Sequence, residues 1–234
     1  MNRKHLVLSV FLSALLGLLA AGAATSSAAR GGLPATAKHP NLLHNGSFKH
    51  WIKPTPQQKA AQGKGGPKLL SGLVPAGWQY IGQSRYGAGP IQGAVARDAT
   101  VKRAGKYSLR ITNGLPSDIT DVDQMVPCAP NTVYRLTCYV RGRNIKPDHK
   151  DGVGAMVWLN YGPKNFWPHQ TSLARHPLKY RGTFGWEKLS FTVNTGPKAA
   201  FLYVVVQLRC ATGTVWYDDV KLVKEGTYTP VKSY

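Results

Sequence analysis

The stretch Tyr134-Arg-Leu-Thr-Cys-Tyr-Val-Arg141 decides the fold class. It alternates strictly, and successive side chains of an extended chain point to opposite faces. Tyr134, Leu136, Cys138 and Val140 therefore share one face of a strand, with Arg135, Thr137, Tyr139 and Arg141 on the other. Glu187-Lys-Leu-Ser-Phe-Thr-Val193 repeats the pattern, with Leu189, Phe191 and Val193 inward. Gly154–Tyr161, Ala200–Arg209 and Thr214–Val223 read as three further strands, and Tyr107–Thr112 and Gln124–Val126 supply others. Turn signals separate them at Ala129-Pro-Asn131, Gly162-Pro163, Thr195-Gly-Pro197 and Ala211-Thr-Gly213. Short strands between Gly/Pro turns, with no amphipathic helix, predict an all-β antiparallel two-sheet sandwich or jelly roll.

Outside this region the chain changes character. Arg3 and Lys4 precede an apolar run from Leu6 to Ala24 that ends in small residues at Ala21-Gly22-Ala23. A charged start, a short apolar core and an A-x-A site describe a secretory signal peptide over residues 1–23. Residues 24–40 read as a flexible tether, 41–225 as the jelly roll and 226–234 as a C-terminal tail. The expected product is exported to an extracellular location, with no membrane span in the mature chain. Lys53–Gly72 has no hydrophobic period and reads as a long surface loop.

Thirty Lys and Arg stand against ten Asp and Glu, a formal net charge of +20. Such a field attracts polyanions. The cations are scattered, without a run of four and without a nucleic-acid motif, so specific nucleic-acid binding is not expected. Three cysteines, Cys128, Cys138 and Cys210, in an exported chain suggest one disulfide and one leftover thiol. Cys138 and Cys210 are in phase with the core residues Leu136 and Leu208, which favours their pairing. No zinc spacing occurs. Hydrolysis of a glycoside calls for two opposed carboxyls; the only glutamates, Glu187 and Glu225, and the aspartates at 118, 121, 123, 218 and 219 suggest no such pair.

Landmarks in order along the chain carry a resemblance. They are Asn41-Leu-Leu-His-Asn-Gly-Ser-Phe48, Pro75-Ala-Gly-Trp78, Arg103-Ala-Gly-Lys-Tyr-Ser-Leu-Arg-Ile111, Pro130–Arg141, Gly185-Trp186 and Gly213-Thr-Val-Trp-Tyr-Asp-Asp-Val-Lys-Leu222. Together they resemble the galactose-binding-like jelly rolls of family 4, 9 and 22 type carbohydrate-binding modules. The opening Asn-Gly-x-Phe and the closing Trp-Tyr-Asp-Asp-Val are the specific parts.

The resemblance implies a non-catalytic, monomeric module that binds polysaccharide. Aromatic side chains stack on the sugar ring while planar polar groups meet its hydroxyls. Alternation turns Met156, Trp158 and Asn160 away from Val157 and Leu159, and Tyr203, Val205, Gln207 and Arg209 away from Val204, Val206 and Leu208. In the family these strands line the glycan face, which implies Trp158, Asn160, Gln207 and Arg209 as lining residues. The loop Tyr161–His169 adds Phe166, Trp167 and His169. Trp216, in phase with Val220 and Leu222, is assigned to the core. Net charge and Arg209 suggest an acidic polysaccharide. The family's structural calcium is not expected, because its acidic positions read Lys49, Ala104 and Asp218, and Lys49 is placed to pair with Asp218. Alternatives on the same scaffold are a protein-binding or envelope-associated assembly domain, or a polysaccharide lyase or glycosidase.

Overall fold

The computed structural model describes residues 39–62, 66–84, 91–147, 153–163 and 181–227. The expected signal peptide and the loop residues Phe166, Trp167 and His169 lie outside them. The elements in chain order are β1 (Trp51–Ile52), α1 (Pro56–Gln62), β2 (Lys68–Leu69), β3 (Val74–Pro75), β4 (Gln79–Ser84), β5 (Ala94–Asp98), β6 (Ser108–Asn113) and β7 (Asp118–Pro127). After them come β8 (Thr132–Pro147), β9 (Gly154–Gly162), β10 (Gly182–Asn194), β11 (Phe201–Arg209) and β12 (Ala211–Thr227). Two sheets dominate, a six-stranded one in the order β10-β8-β12-β6-β5-β2 and a four-stranded one in the order β4-β7-β11-β9. Pairing is antiparallel throughout except for the short β2–β5 ladder.

The expected alternation is what joins the sheets. Tyr134, Leu136, Cys138 and Val140 of β8 meet Val157 and Leu159 of β9, and Leu202, Val204, Val206 and Leu208 of β11, in one buried core. Each such aliphatic side chain contributes about 1.5–3 kcal/mol when fully buried. Tyr217, wholly buried, spans the layers: its hydroxyl lies 2.6 Å from the Gln207 carbonyl oxygen and accepts the Met156 N–H at 3.0 Å. A residue of β12 thereby fixes the backbone of both β9 and β11.

The two landmark motifs clasp each other. The Asn41 side chain donates to the Val220 carbonyl at 3.0 Å and accepts the Leu222 N–H at 2.9 Å. The Val220 N–H donates to the Gly46 carbonyl at 2.8 Å, and Gly46 lies so close to the Val220 carbonyl that a Cβ there would collide with it. Phe48 is fully buried, its ring centroid 5.4 Å from that of Trp78. The Asn-Gly-x-Phe signature is thus a joint between the start and the end of the domain.

Three expectations need correction. Trp216 is buried but faces away from the inter-sheet core, which takes Val215 and Tyr217 instead. A register shift between Asp218 and Lys221, with Asp219 at φ 50°, changes the phase of β12, so Trp216 is out of step with Val220 and Leu222. The Cys138–Cys210 bridge is not formed. Ala211 does lie opposite the far end of β8, at Pro147, but β8 is long and Cys138 sits nine residues earlier. At ~3.3 Å per residue that separation is about 30 Å, whereas a disulfide requires Cα atoms within ~7 Å.

Lys53–Gly72 is not loop throughout, because α1 starts inside it with a capping box. Gln58 N–H donates to Thr55 Oγ1 at 3.2 Å, Thr55 N–H donates to Gln58 Oε1 at 2.8 Å, and Pro56 takes the first helical position. The last strand, β12, runs to Thr227.

Candidate functional site

Because the even-numbered residues of β11 and the odd-numbered residues of β9 fill the core, the opposite set forms the outer face of the four-stranded sheet. Register gives the rows across β4-β7-β11-β9. One reads Gln79, Asp123, Val205, Trp158, and the next Ile81, Asp121, Gln207, Met156; Met125, Tyr203 and Asn160 form a third, and Ile119 and Arg209 belong to a fourth. Trp158, Asn160, Gln207 and Arg209 therefore do share one face, as the alternation implied. Asn160 and Gln207 are only 4% and 2% exposed on it, while Trp158 and Arg209 are half-buried.

The contacts within this face are specific. The Arg209 guanidinium carbon lies 5.5 Å from the centroid of the Trp158 ring, within cation–π range. The Trp158 indole N–H points at Met156 Sδ, 2.9 Å away. With the Gln207 amide oriented to match donors with acceptors, its nitrogen donates to Asp121 Oδ1 at 2.9 Å and its oxygen accepts from the Trp158 indole. Tyr203 donates a hydrogen bond to Asp123.

Asp121 and Asp123 were absent from the residues expected at this face, and Tyr203, turned outward by the alternation, was not counted among its lining residues. Asp123 is 2% exposed. Burial, with Asp123 beside it, pushes Asp121 up to about 7, and Arg209 pulls in the opposite direction. Burial likewise pushes Asp123 up to about 7, against the hydrogen bond from Tyr203. Two acceptors remain without a partner on this face, Asp123 Oδ2 and Asn160 Oδ1. The signal was present in Asp121-Val-Asp-Gln-Met-Val126, where Asp121, Asp123 and Met125 alternate with Val122 and Val126. It was missed because the strand was read as beginning only at Gln124.

No family model matches the chain, and no curated protein matches it in sequence. Solved structures do. The enzymatically active domain of tailspike protein 4 from bacteriophage CBA120 superposes with a TM-score of 0.54 at 9% identity, over 79% of this chain and 21% of that one. The likeness is one of fold. This chain spans only that 21% of the tailspike's length. A family 61 carbohydrate-binding module (TmCBM61) solved with β-1,4-galactotriose gives 0.46 at 15% identity, covering 80% of this chain and 99% of that one. A cyclase from Fischerella sp. TAU gives 0.48 at 16% identity, covering 80% and 98%. Carbohydrate-binding modules of families 16, 4 and 22 are also among the neighbours.

The calcium position that the resemblance points to retains one acid, Asp218. Asp218 is wholly buried, and Lys49, expected beside it, is exposed. Instead Asp218 Oδ2 accepts the backbone N–H groups of Arg103 and Ala104 at 2.9 and 3.1 Å, and Oδ1 accepts that of Asp219 at 2.8 Å. A hard cation needs several oxygen ligands, and here the positive ends of three N–H dipoles already face the carboxylate. The donor set does not fit calcium. Among the described residues, no cluster of three or more His, Cys, Asp or Glu could hold a metal ion.

Proposed function

We propose that the chain is an exported, non-catalytic carbohydrate-binding module that holds a neutral glycan on the outer face of the four-stranded sheet. The observation that carries this reading is the pair of buried, unpartnered acceptors, Asp123 Oδ2 and Asn160 Oδ1, on the face that carries the part-exposed Trp158 ring. A buried acceptor left unmade costs about 1–3 kcal/mol, so the face is rich in acceptors for which sugar hydroxyls are matching donors once side chains there shift to meet them. A flat indole meets the C–H face of a pyranose with few rotors to freeze.

The carboxyls bear on glycan charge. Arg209, the residue expected to favour an acidic glycan, interacts with Asp121, and Asp123 shares that face. A uronate there would meet two acidic groups, whereas a neutral sugar would meet acceptors. Both carboxyls rise from the same strand and face the same way, an arrangement suited to gripping hydroxyls rather than to flanking a scissile bond.

A glycan array run beside a pull-down from producing cells tests the reading. Retention of neutral oligosaccharides, with no new reducing ends after incubation, supports it. Capture of a protein with no glycan retained would replace it with the assembly-domain reading, and release of reducing ends would make the chain an enzyme.

A further inference from the structure

Among the described residues, a group of cations lies on the other side of the molecule, on and beside the outer face of the six-stranded sheet. In β12, Trp216 lies opposite Arg141 of β8 and Arg110 of β6. The Arg143 guanidinium carbon lies 5.3 Å from the Trp216 ring centroid, and that of Arg103 lies 4.4 Å from Tyr139. Lys188 of β10 pairs in register with Tyr139. Arg103, Arg141, Arg143, Lys188 and Lys221 are all exposed.

Of the acids on this side, Asp219 lines the same face with its carboxylate part-exposed, while three others are taken. Asp98 accepts from the Trp216 indole at 2.9 Å and from Arg110 at 3.3 Å, Asp218 is held by backbone N–H groups, and Glu225 is paired with Arg135. The surplus is therefore cationic. Guanidiniums resting on aromatic rings are ordered before any ligand arrives, so less freedom is lost when they fork onto a carboxylate or sulfate. Beside them lies a shallow depression of about 480 Å³, lined by Tyr139, Lys188, Lys221, Thr137, Ser47 and Asp219. That volume suits one or two sugar units, and it offers hydroxyls as well as charge.

We infer that this face is a second binding surface, taking an anionic polysaccharide whose carboxylate or sulfate groups meet Arg141, Arg143, Arg103, Lys188 and Lys221. It is independent of the neutral-glycan face, which lies on the other sheet. Part of the chain's excess charge then has a binding role apart from Arg209.

The test is a set of binding isotherms on the whole protein with polygalacturonate, dextran sulfate, unmodified dextran and duplex DNA, repeated over a salt series. Both anionic polysaccharides are expected to bind at low salt and to weaken steeply as salt rises, since exposed charges are screened over ~10 Å at 0.1 M and ~3 Å at 1 M. The Arg141→Gln/Arg143→Gln double variant should weaken binding about tenfold and flatten the salt dependence by about two charges. A charge-matched control, Lys53→Gln/Lys198→Gln, should change little, as should Trp158→Ala. Near-ultraviolet circular dichroism confirms that each variant is folded. If the arginine variant and the charge-matched control weaken binding equally, or if duplex DNA binds as tightly as polygalacturonate, the inference is overturned. Binding of one anionic polysaccharide without the other identifies carboxylate or sulfate as the recognised group.

Discussion

Removing the Tyr217 hydroxyl should loosen the sandwich where its layers are pinned. The hydroxyl has one proton, directed to the Gln207 carbonyl at 2.6 Å, and it accepts the Met156 N–H at 3.0 Å. Tyr217 is fully buried and Met156 is 3% exposed, so water has little access to replace it. Tyr217→Phe keeps the ring and its packing but removes the hydroxyl's bonds to the Gln207 carbonyl and the Met156 N–H. At about 0.5–1.5 kcal/mol net for each lost bond, the cost comes to ~2 kcal/mol. For a domain of this size that corresponds to a fall in Tm of roughly 4–8 °C. Urea unfolding followed by tryptophan fluorescence reads the change directly. A loss below about 0.5 kcal/mol, the range of neutral surface substitutions, would refute the idea that this hydroxyl ties β12 to β9 and β11.

Other outcomes follow from the same physics. Asp121 and Asp123 titrate near 3.8 when unfolded but are pushed up to about 7 in the fold. The unfolded chain therefore releases protons that the folded chain still holds, and their contribution to stability falls as pH rises from about 4 to about 7. Asp123→Asn should flatten that decline and raise stability at pH 8; thermal melts in which the variant tracks wild type at every pH would contradict it. Gly46→Ala should destabilise by about 1–3 kcal/mol or more, because its Cβ meets the Val220 carbonyl oxygen at the joint between the landmark motifs. An unchanged denaturation midpoint would show that the joint can yield. Non-reducing peptide mapping should recover no Cys138–Cys210 link, and Cys138, its thiol pushed up to about 12 by burial, should resist alkylation until the chain unfolds.

Much of the fold could be read from period-two alternation, because strands with one face in the core must alternate. That reading gave the inward sets of β8, β9 and β11, and with them the shared face of Trp158, Asn160, Gln207 and Arg209. It failed where the chain breaks phase or where polar residues are buried. The bulge at Asp218–Lys221 reverses β12, and nothing local in Trp216-Tyr-Asp-Asp-Val220 marks it. The Thr55-Pro-Gln-Gln58 capping box was legible, yet it lies in a segment without an apolar period. Asp121 and Asp123 look like solvated surface acids in sequence. They are drawn into the face because Tyr203, Gln207 and Arg209 on the neighbouring strand supply partners, a pairing that depends on sheet register.

The central claim, a neutral glycan held on the outer face of the four-stranded sheet, is tested most directly by calorimetric titration of wild type, Trp158→Ala and Asp123→Asn. The ligands are β-glucan, xylan and galactan oligosaccharides, at low and high salt. The account expects at least one of them to bind with little salt dependence, and Trp158→Ala to weaken it about tenfold, the equivalent of ~1.4 kcal/mol of stacking. Asp123→Asn should also weaken it, while Arg141→Gln/Arg143→Gln leaves it intact. Binding that survives both Trp158→Ala and Asp123→Asn unchanged, or no binding of any neutral oligosaccharide, would contradict the account.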